Sequence, residues 1–142
     1  MKRNLADRAA IVQSIPMFGG LRKKDITALA RGATEEWFES EVRLVTQGEE
    51  GDAAYVLTDG KAAVVRNGRR ITELGPGAVF GEMSLLDGGE RSATVVMKSR
   101  GSVLKIEKDA FDAMLDASSS AARAVLAQVA ARLREADRQL YG

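Results

Sequence analysis

Two residue types are missing altogether: the chain contains neither cysteine nor histidine. The first absence excludes disulfides, thiolate metal ligands and thiol nucleophiles, and the second removes the imidazole from any Ser–His or Cys–His arrangement. Proton transfer is left to carboxylates, lysine and tyrosine, and a metal would have to be held through oxygen alone. A charge excess is lacking too. Lys plus Arg number 21 against 20 Asp plus Glu, a formal net charge of +1, whereas nucleic-acid binders carry a larger or more clustered basic surplus. No stretch approaches the roughly 20 apolar residues that span a bilayer. The opening run from Met1 to Arg8 is charged and has no apolar core of a secretory leader. Hydrolysis would want a metal cage or a poised base, and neither spacing occurs. The expectation is a cytoplasmic protein that is not an enzyme, with no metal, no cofactor, no nucleic-acid partner and no membrane association.

What is present suits a folded domain. Hydrophobic residues make up 45% and charged residues 29% of 142, enough for one domain, residues 1–142, around a single core. Abundant Ala and Arg point to a GC-rich bacterial genome. Three zones separate by period. In 1–33, Leu5, Ala9, Val12 and Ile15 recur at helical spacing until Pro16 and Gly19-Gly20 close the segment. A second short helix carries Ile26, Leu29 and Ala30 on one side, with Asp25 near its start. In 34–107, short runs rich in Val, Leu, Ile, Thr and aromatics alternate with Gly, Asn and Asp turns. Strands are predicted near Glu35–Phe38, Val42–Thr46, Ala54–Thr58, Ala62–Arg66, Arg70–Leu74, Ala93–Met97 and Ser102–Ile106. Asn67-Gly68 between two such runs is a two-residue hairpin signal, and Asp59-Gly60 makes a similar bend. In 108–142, Phe111, Met114 and Leu115 mark a short helix, and Ser118, Ser119 and Ser120 offer caps for a long one reaching Tyr141. The fold class implied is α+β, mainly β: an antiparallel β-roll or jelly roll flanked by N-terminal helices and a C-terminal helix pair, with a short helix interrupting the roll.

That interruption, residues 80–95, carries the chemistry. After Gly81 the run Glu82-Met83-Ser84-Leu85-Leu86 reads as one or two helical turns, ended by Asp87-Gly88-Gly89. A helix start points backbone N–H groups and a positive dipole end outward, and Gly81 lets a ligand approach the backbone closely. Past the turn, Arg91 can fold back to the same spot, where its planar fork suits two phosphate oxygens, with the Ser92 hydroxyl beside it. Glu82 is a carboxylate among Phe80, Met83, Leu85 and Leu86; ionised there, it needs donors, and a sugar hydroxyl would serve. Each part has a plainer reading: Glu82 caps its own helix or pairs with Arg91, and Arg91 is a salt-bridged surface residue. The combination is more specific than its parts.

The segment resembles the phosphate-binding cassette of the cyclic-nucleotide-binding domain family, which spans catabolite activator proteins, regulatory subunits of cAMP-dependent kinase and cyclic-nucleotide-gated channels. The likeness extends to Val42–Glu49, Gly51–Leu57, Asp59-Gly60-Lys61 and Leu74-Gly75-Pro76-Gly77, and to the flanking helices. It implies a sensor module that binds a cyclic nucleotide monophosphate. Glu82 would accept the ribose 2′-hydroxyl, and Arg91 would hold the exocyclic phosphate oxygens with Ser92 and Ala93 beside them. Backbone amides about Gly81, Met83, Ser84 and Leu85 would complete the cradle. Val64 and Leu74 would line the base pocket under a lid formed by the last helix. There the adenine-reading hydroxyls of catabolite activator proteins are replaced by Ala136 and Asp137, while Arg132, Arg134 or Arg138 could stack over the base or simply form a solvated face with Glu135 and Asp137. Ser92 permits cGMP without requiring it, and cAMP is the favoured ligand.

The last helix also carries Ala122, Leu126, Val129, Leu133, Ala136 and Leu140 at alternating spacings of four and three. Such a seam can pair two copies into a homodimer, although one so short is expected to pack on its own domain. A helix-turn-helix following the lid is not expected, so the output would pass to a protein partner. The alternatives are an interaction domain that keeps the fold without the nucleotide, or a ligand-binding domain from a larger channel or regulator.

Overall fold

The computed structural model describes residues 3–141; Met1, Lys2 and Gly142, which include the start of the charged opening run, lie outside them. Asn4 starts the first helix by accepting the Asp7 amide on its side-chain oxygen at 2.8 Å, which satisfies one of the donors a helix start leaves unpaired. Helix α1 runs Leu5–Gln13. Pro16 then begins a 3-10 turn, Pro16–Phe18, that drives Met17 and Phe18 fully into the core; this turn is a feature the helical period does not reveal. Helix α2, Lys23–Gly32, buries Ile26, Leu29 and Ala30 as its apolar side requires. Asp25 is buried as well and faces Arg22 at 3.4 Å.

Eight strands follow: β1 Thr34–Phe38, β2 Arg43–Val45, β3 Ala53–Asp59, β4 Ala62–Arg66, β5 Arg69–Leu74, β6 Val79–Phe80, β7 Thr94–Met97 and β8 Gly101–Glu107. All pair antiparallel, in two sheets ordered β1-β8-β3-β6 and β2-β7-β4-β5. Asn67 (φ 53°) and Gly68 (φ 77°) make the two-residue hairpin between β4 and β5, with Arg66 opposite Arg69. Asp59-Gly60 bends differently from a hairpin. Strand β3 pairs with β8 and β6, and β4 with β7 and β5, so this bend carries the chain from one sheet to the other. Strand β6 has only two residues, and its second, Phe80, opens the segment read as an interruption.

Strand β3 explains the layering. Its alternation sends Ala54 and Val56 to a core shared with the helices, including Phe18, Leu29, Leu104 and Phe111. The opposite face sends Ala53, Tyr55 and Leu57 into the roll, against Met97, Val95 and Val103. Both faces are thus buried, as a central strand between two cores must be.

Helix α3, Ser84–Asp87, sits inside the roll segment, and α4 spans Lys108–Ala117. Helix α5 runs Ser119–Tyr141. Ser118 caps it, its hydroxyl accepting the Ala121 amide at 3.2 Å. The expectation that the four-three seam packs on its own domain is corrected here for every member but Val129. The stripe facing the body is Ala121 and Val125, joined by Ala124 and Val129, and Ala124 lies beside Gly20. Leu126, Leu133 and Leu140 are 68%, 71% and 74% exposed. The physical reason is the small Gly19-Gly20 surface, which admits Ala124 and Gln128 and so selects the neighbouring face of the helix.

Candidate functional site

The cassette is held by its ends. Gly81 adopts φ 77°, and the Ser84, Leu85 and Leu86 amides donate to the Gly81, Glu82 and Met83 carbonyls at 3.2, 3.1 and 3.0 Å. The Ser84 and Leu85 amides expected in an anion cradle are therefore engaged in the turn itself. Regular helix begins at Ser84, later than the sequence suggested, and is closed by Gly88 at φ 64°. Leu85 is fully buried and points into the helical core, so it anchors the segment rather than lining a cavity. Beyond α3, the Gly51 amide donates to the Gly89 carbonyl (3.0 Å), the Arg91 amide to Glu49 (2.7 Å) and the Gly48 amide to Arg91 (2.9 Å). This short ladder fixes where the Arg91 side chain leaves the backbone.

The Arg91 guanidinium is buried, 8% exposed for the residue. Its Nη1 donates to the Gly81 carbonyl and to Ser84 Oγ, both at 3.2 Å, and its Nη2 donates to the Ala53 carbonyl at 2.9 Å. Of five N–H donors, these bonds leave one on Nε and one on Nη2, the pair of atoms that forms a side-on fork. The cation also lies over the Tyr55 ring, 5.7 Å from its centroid, and Tyr55 stacks on Phe80 at 5.1 Å. Burial pushes the Tyr55 phenol above its ordinary 10.0, against opposing pulls from Lys105 and Arg91. A Cβ on Gly81 would collide with Arg91 Nη1, and one on Gly51 would lie 2.5 Å from Arg91 Cζ and collide with Ser84 Oγ. Both glycines are required for this seat.

Glu82 does not pair with Arg91. Its Oε1 accepts from Arg132 of α5 at 2.8 Å. Its Oε2 is buried and has no hydrogen-bond partner among the described residues. A buried carboxylate oxygen without a donor is costly, so this atom is an acceptor awaiting a donor.

Gly81, Glu82, Met83, Ser84, Arg91, Ser92, Ala93 and Val64 all line one cavity of about 390 Å³. Apolar walls come from Val45, Val79, Phe80 and Val95, and Arg66 and Glu90 add charged groups to the lining. Leu74, opposite Ala62 on the neighbouring strand β5, packs against the roll core and does not line the cavity. Arg134 and Ala136 lie apart from it, on a stretch of α5 formed with Leu133, Asp137, Arg138 and Leu140 alone. Of the α5 arginines expected near the base, Arg132 reaches Glu82, whereas Arg138 pairs with Glu135 at 2.9 Å. Arg66, Val45, Val79 and Glu90 are not among the site residues expected from the sequence. The first had a signal: on β4, Ala62, Val64 and Arg66 alternate onto one face.

Comparison with known proteins gives a consistent result. The family model of the cyclic nucleotide-binding domain matches residues 35–118. A cyclic AMP receptor protein from Thermus thermophilus is 33% identical over 130 residues, covering 88% of this chain and 60% of its own length. A cGMP-dependent protein kinase from Plasmodium berghei is 33% identical over 96 residues, covering 68% of this chain and 11% of the kinase. Among solved structures, the N-terminal domain of a transcriptional regulator from Streptomyces coelicolor A3(2) superposes with a TM-score of 0.82 at 28% identity, covering 93% of this chain and 96% of that domain. The chain thus spans three-fifths or less of the two relatives matched by sequence.

Proposed function

This chain belongs to the cyclic nucleotide-binding domain family, and from that premise we propose that it is a non-catalytic sensor of a cyclic nucleotide monophosphate, with cAMP favoured over cGMP. The observation that carries the reading is the convergence of Arg91 and Glu82 on one cavity, each with bonding capacity unspent. The two remaining donors of Arg91 match two exocyclic phosphate oxygens. Glu82 Oε2 matches the ribose 2′-hydroxyl, which would supply its missing donor. Cyclisation makes the phosphate a compact monoanion, suited to a single guanidinium. The base would lie against Val64, Val45 and Val95. Support for cAMP comes from a relative whose match covers 88% of the chain and whose name is that of a cyclic AMP receptor.

With Oε1 engaged by Arg132 and Oε2 open, Glu82 can hold the lid helix and the sugar together. The ligand would therefore favour the arrangement of α5 in which Arg132 is clasped, because a ligand shifts an equilibrium only by binding one state better. The exposed seam of α5 would pair two copies and pass that bias to a protein partner.

A second reading has one observation behind it. Arg91 is already hydrogen-bonded to Gly81, Ser84 and Ala53, which is compatible with a scaffold that needs no ligand. Calorimetric titration with cAMP and cGMP separates the two. The sensor reading expects saturable binding, lowered about 30- to 700-fold by Arg91→Ala, equivalent to roughly 2–4 kcal/mol of charge-assisted bonding. It also expects Glu82→Ala to erase discrimination between cAMP and its 2′-deoxy analogue. Heat-silent titrations of folded wild-type protein with both nucleotides leave the scaffold reading.

A further inference from the structure

A second guanidinium borders the cavity and the cassette does not account for it. Arg66 ends β4, on the same face as Ala62 and Val64, and lines the cavity beside Val64 and Ser92. Its Nε donates to the Ser92 carbonyl at 3.1 Å, which ties the side chain to the residue following Arg91. That bond uses one of five donors. Among the described residues no carboxylate forms a salt bridge with Arg66, in contrast to Arg3, Arg22, Arg70, Arg100, Arg132 and Arg138. Its four Nη hydrogens are thus held near the cavity wall by a bond that leaves them unused.

The chemistry of that fork selects among bases. A phosphate seated at Arg91 and a ribose at Glu82 leave the base to pack along the valine wall, where Val64 and Arg66 are two residues apart on one strand face. A guanidinium only donates. Guanine presents two adjacent acceptors, O6 and N7, and can take two parallel bonds, whereas adenine offers N7 beside the N6 amino group, itself a donor. We propose that Arg66 is a specificity-determining residue that reads the O6/N7 edge of guanine and adds about tenfold to the affinity for cGMP at this site. The inference rests on the cyclic-nucleotide reading above, and it sets the guanine contribution rather than which nucleotide binds more tightly overall.

Affinities of wild type, Arg66→Leu and Arg66→Gln for cGMP, cAMP and cIMP test it, with 7-deaza-cGMP as a further probe. Inosine keeps O6 and N7 but lacks the 2-amino group. The expected result is a loss of about tenfold for cGMP and for cIMP in both variants, with cAMP changed less than twofold. 7-Deaza-cGMP should already be weakened in wild type and lose less on substitution. An equal loss for cAMP and cGMP would place Arg66 on the phosphate and overturn the inference while leaving the sensor reading intact. So would unchanged cGMP binding, or a loss confined to cGMP and absent for cIMP. A folded wild type that binds neither cAMP nor cGMP overturns both.

Discussion

Gly81 shows how much of the site depends on one missing side chain. Its φ of 77° lies where an L side chain costs about 1 kcal/mol or more, and the space a Cβ would fill is taken by Arg91 Nη1. Gly81→Ala must therefore strain the turn and push the guanidinium off its seat at once. A melting temperature lowered by several degrees is expected from the strain, together with at least tenfold weaker nucleotide binding in titration. Weaker binding with an unchanged melting temperature would mean that the turn relaxes freely, contrary to the crowding seen around it. Arg91 shares this dependence on small neighbours: Ala53 lends its carbonyl and Gly51 its open flank. Those contacts join positions far apart in sequence, which is why the arginine could be picked out as a candidate phosphate ligand while its internal acceptors could not. Arg66 was missed for a different reason. Its place on the cavity follows from strand alternation, but only once β4 is known to run inward through Ala62 and Val64.

Helix α5 divides into two functional lengths. Its first turns pack Ala121 and Val125 on the body, whereas beyond Val129 the described residues are exposed. Arg132 is the point at which the exposed part returns to the cassette, through Glu82 Oε1 at 2.8 Å. Arg132→Ala should shorten the lifetime of bound cAMP and weaken affinity about fivefold, the size of a partly exposed ion pair of roughly 1 kcal/mol. Hydrogen exchange would check the mechanism: nucleotide should slow exchange of the α5 tail in wild type and leave it fast in the variant. Equal protection in both would show that Arg132 does not couple α5 to the ligand. The strands were legible at this scale because turn chemistry brackets them; Asn67-Gly68 required positive φ at both positions and has it. Strand β6, two residues paired to Tyr55 and Val56, is too short to show an alternation. The packed stripe of α5 was illegible because two apolar faces, one residue out of phase, compete for the body. The choice between them is made by Gly19-Gly20, a hundred residues away in contact with Ala124 and Gln128.

At the scale of the whole molecule, the face that lost that competition is the consequential one. Ala122, Leu126, Leu133, Ala136 and Leu140, with the half-buried Val129 shared between the two faces, hold the four-three spacing of a two-stranded coiled coil, and the three leucines are exposed to solvent. Burying a leucine is worth roughly 1.5–3 kcal/mol, so three from each copy provide a driving force that a lone helix in water forgoes. Sedimentation should report a dimer that Leu126→Glu/Leu133→Glu converts to a monomer, with cAMP affinity of the monomer within about fivefold of wild type, since cassette and cavity lie within one chain. A wild type that sediments as a monomer at every concentration would assign the seam to another partner. Arg132 and Leu133 are consecutive, so clasping the first on Glu82 restricts where the second can project. Linkage then requires reciprocity: if nucleotide tightens the clasp and the clasp orders the seam, nucleotide must tighten the dimer and the dimer must tighten nucleotide by the same factor.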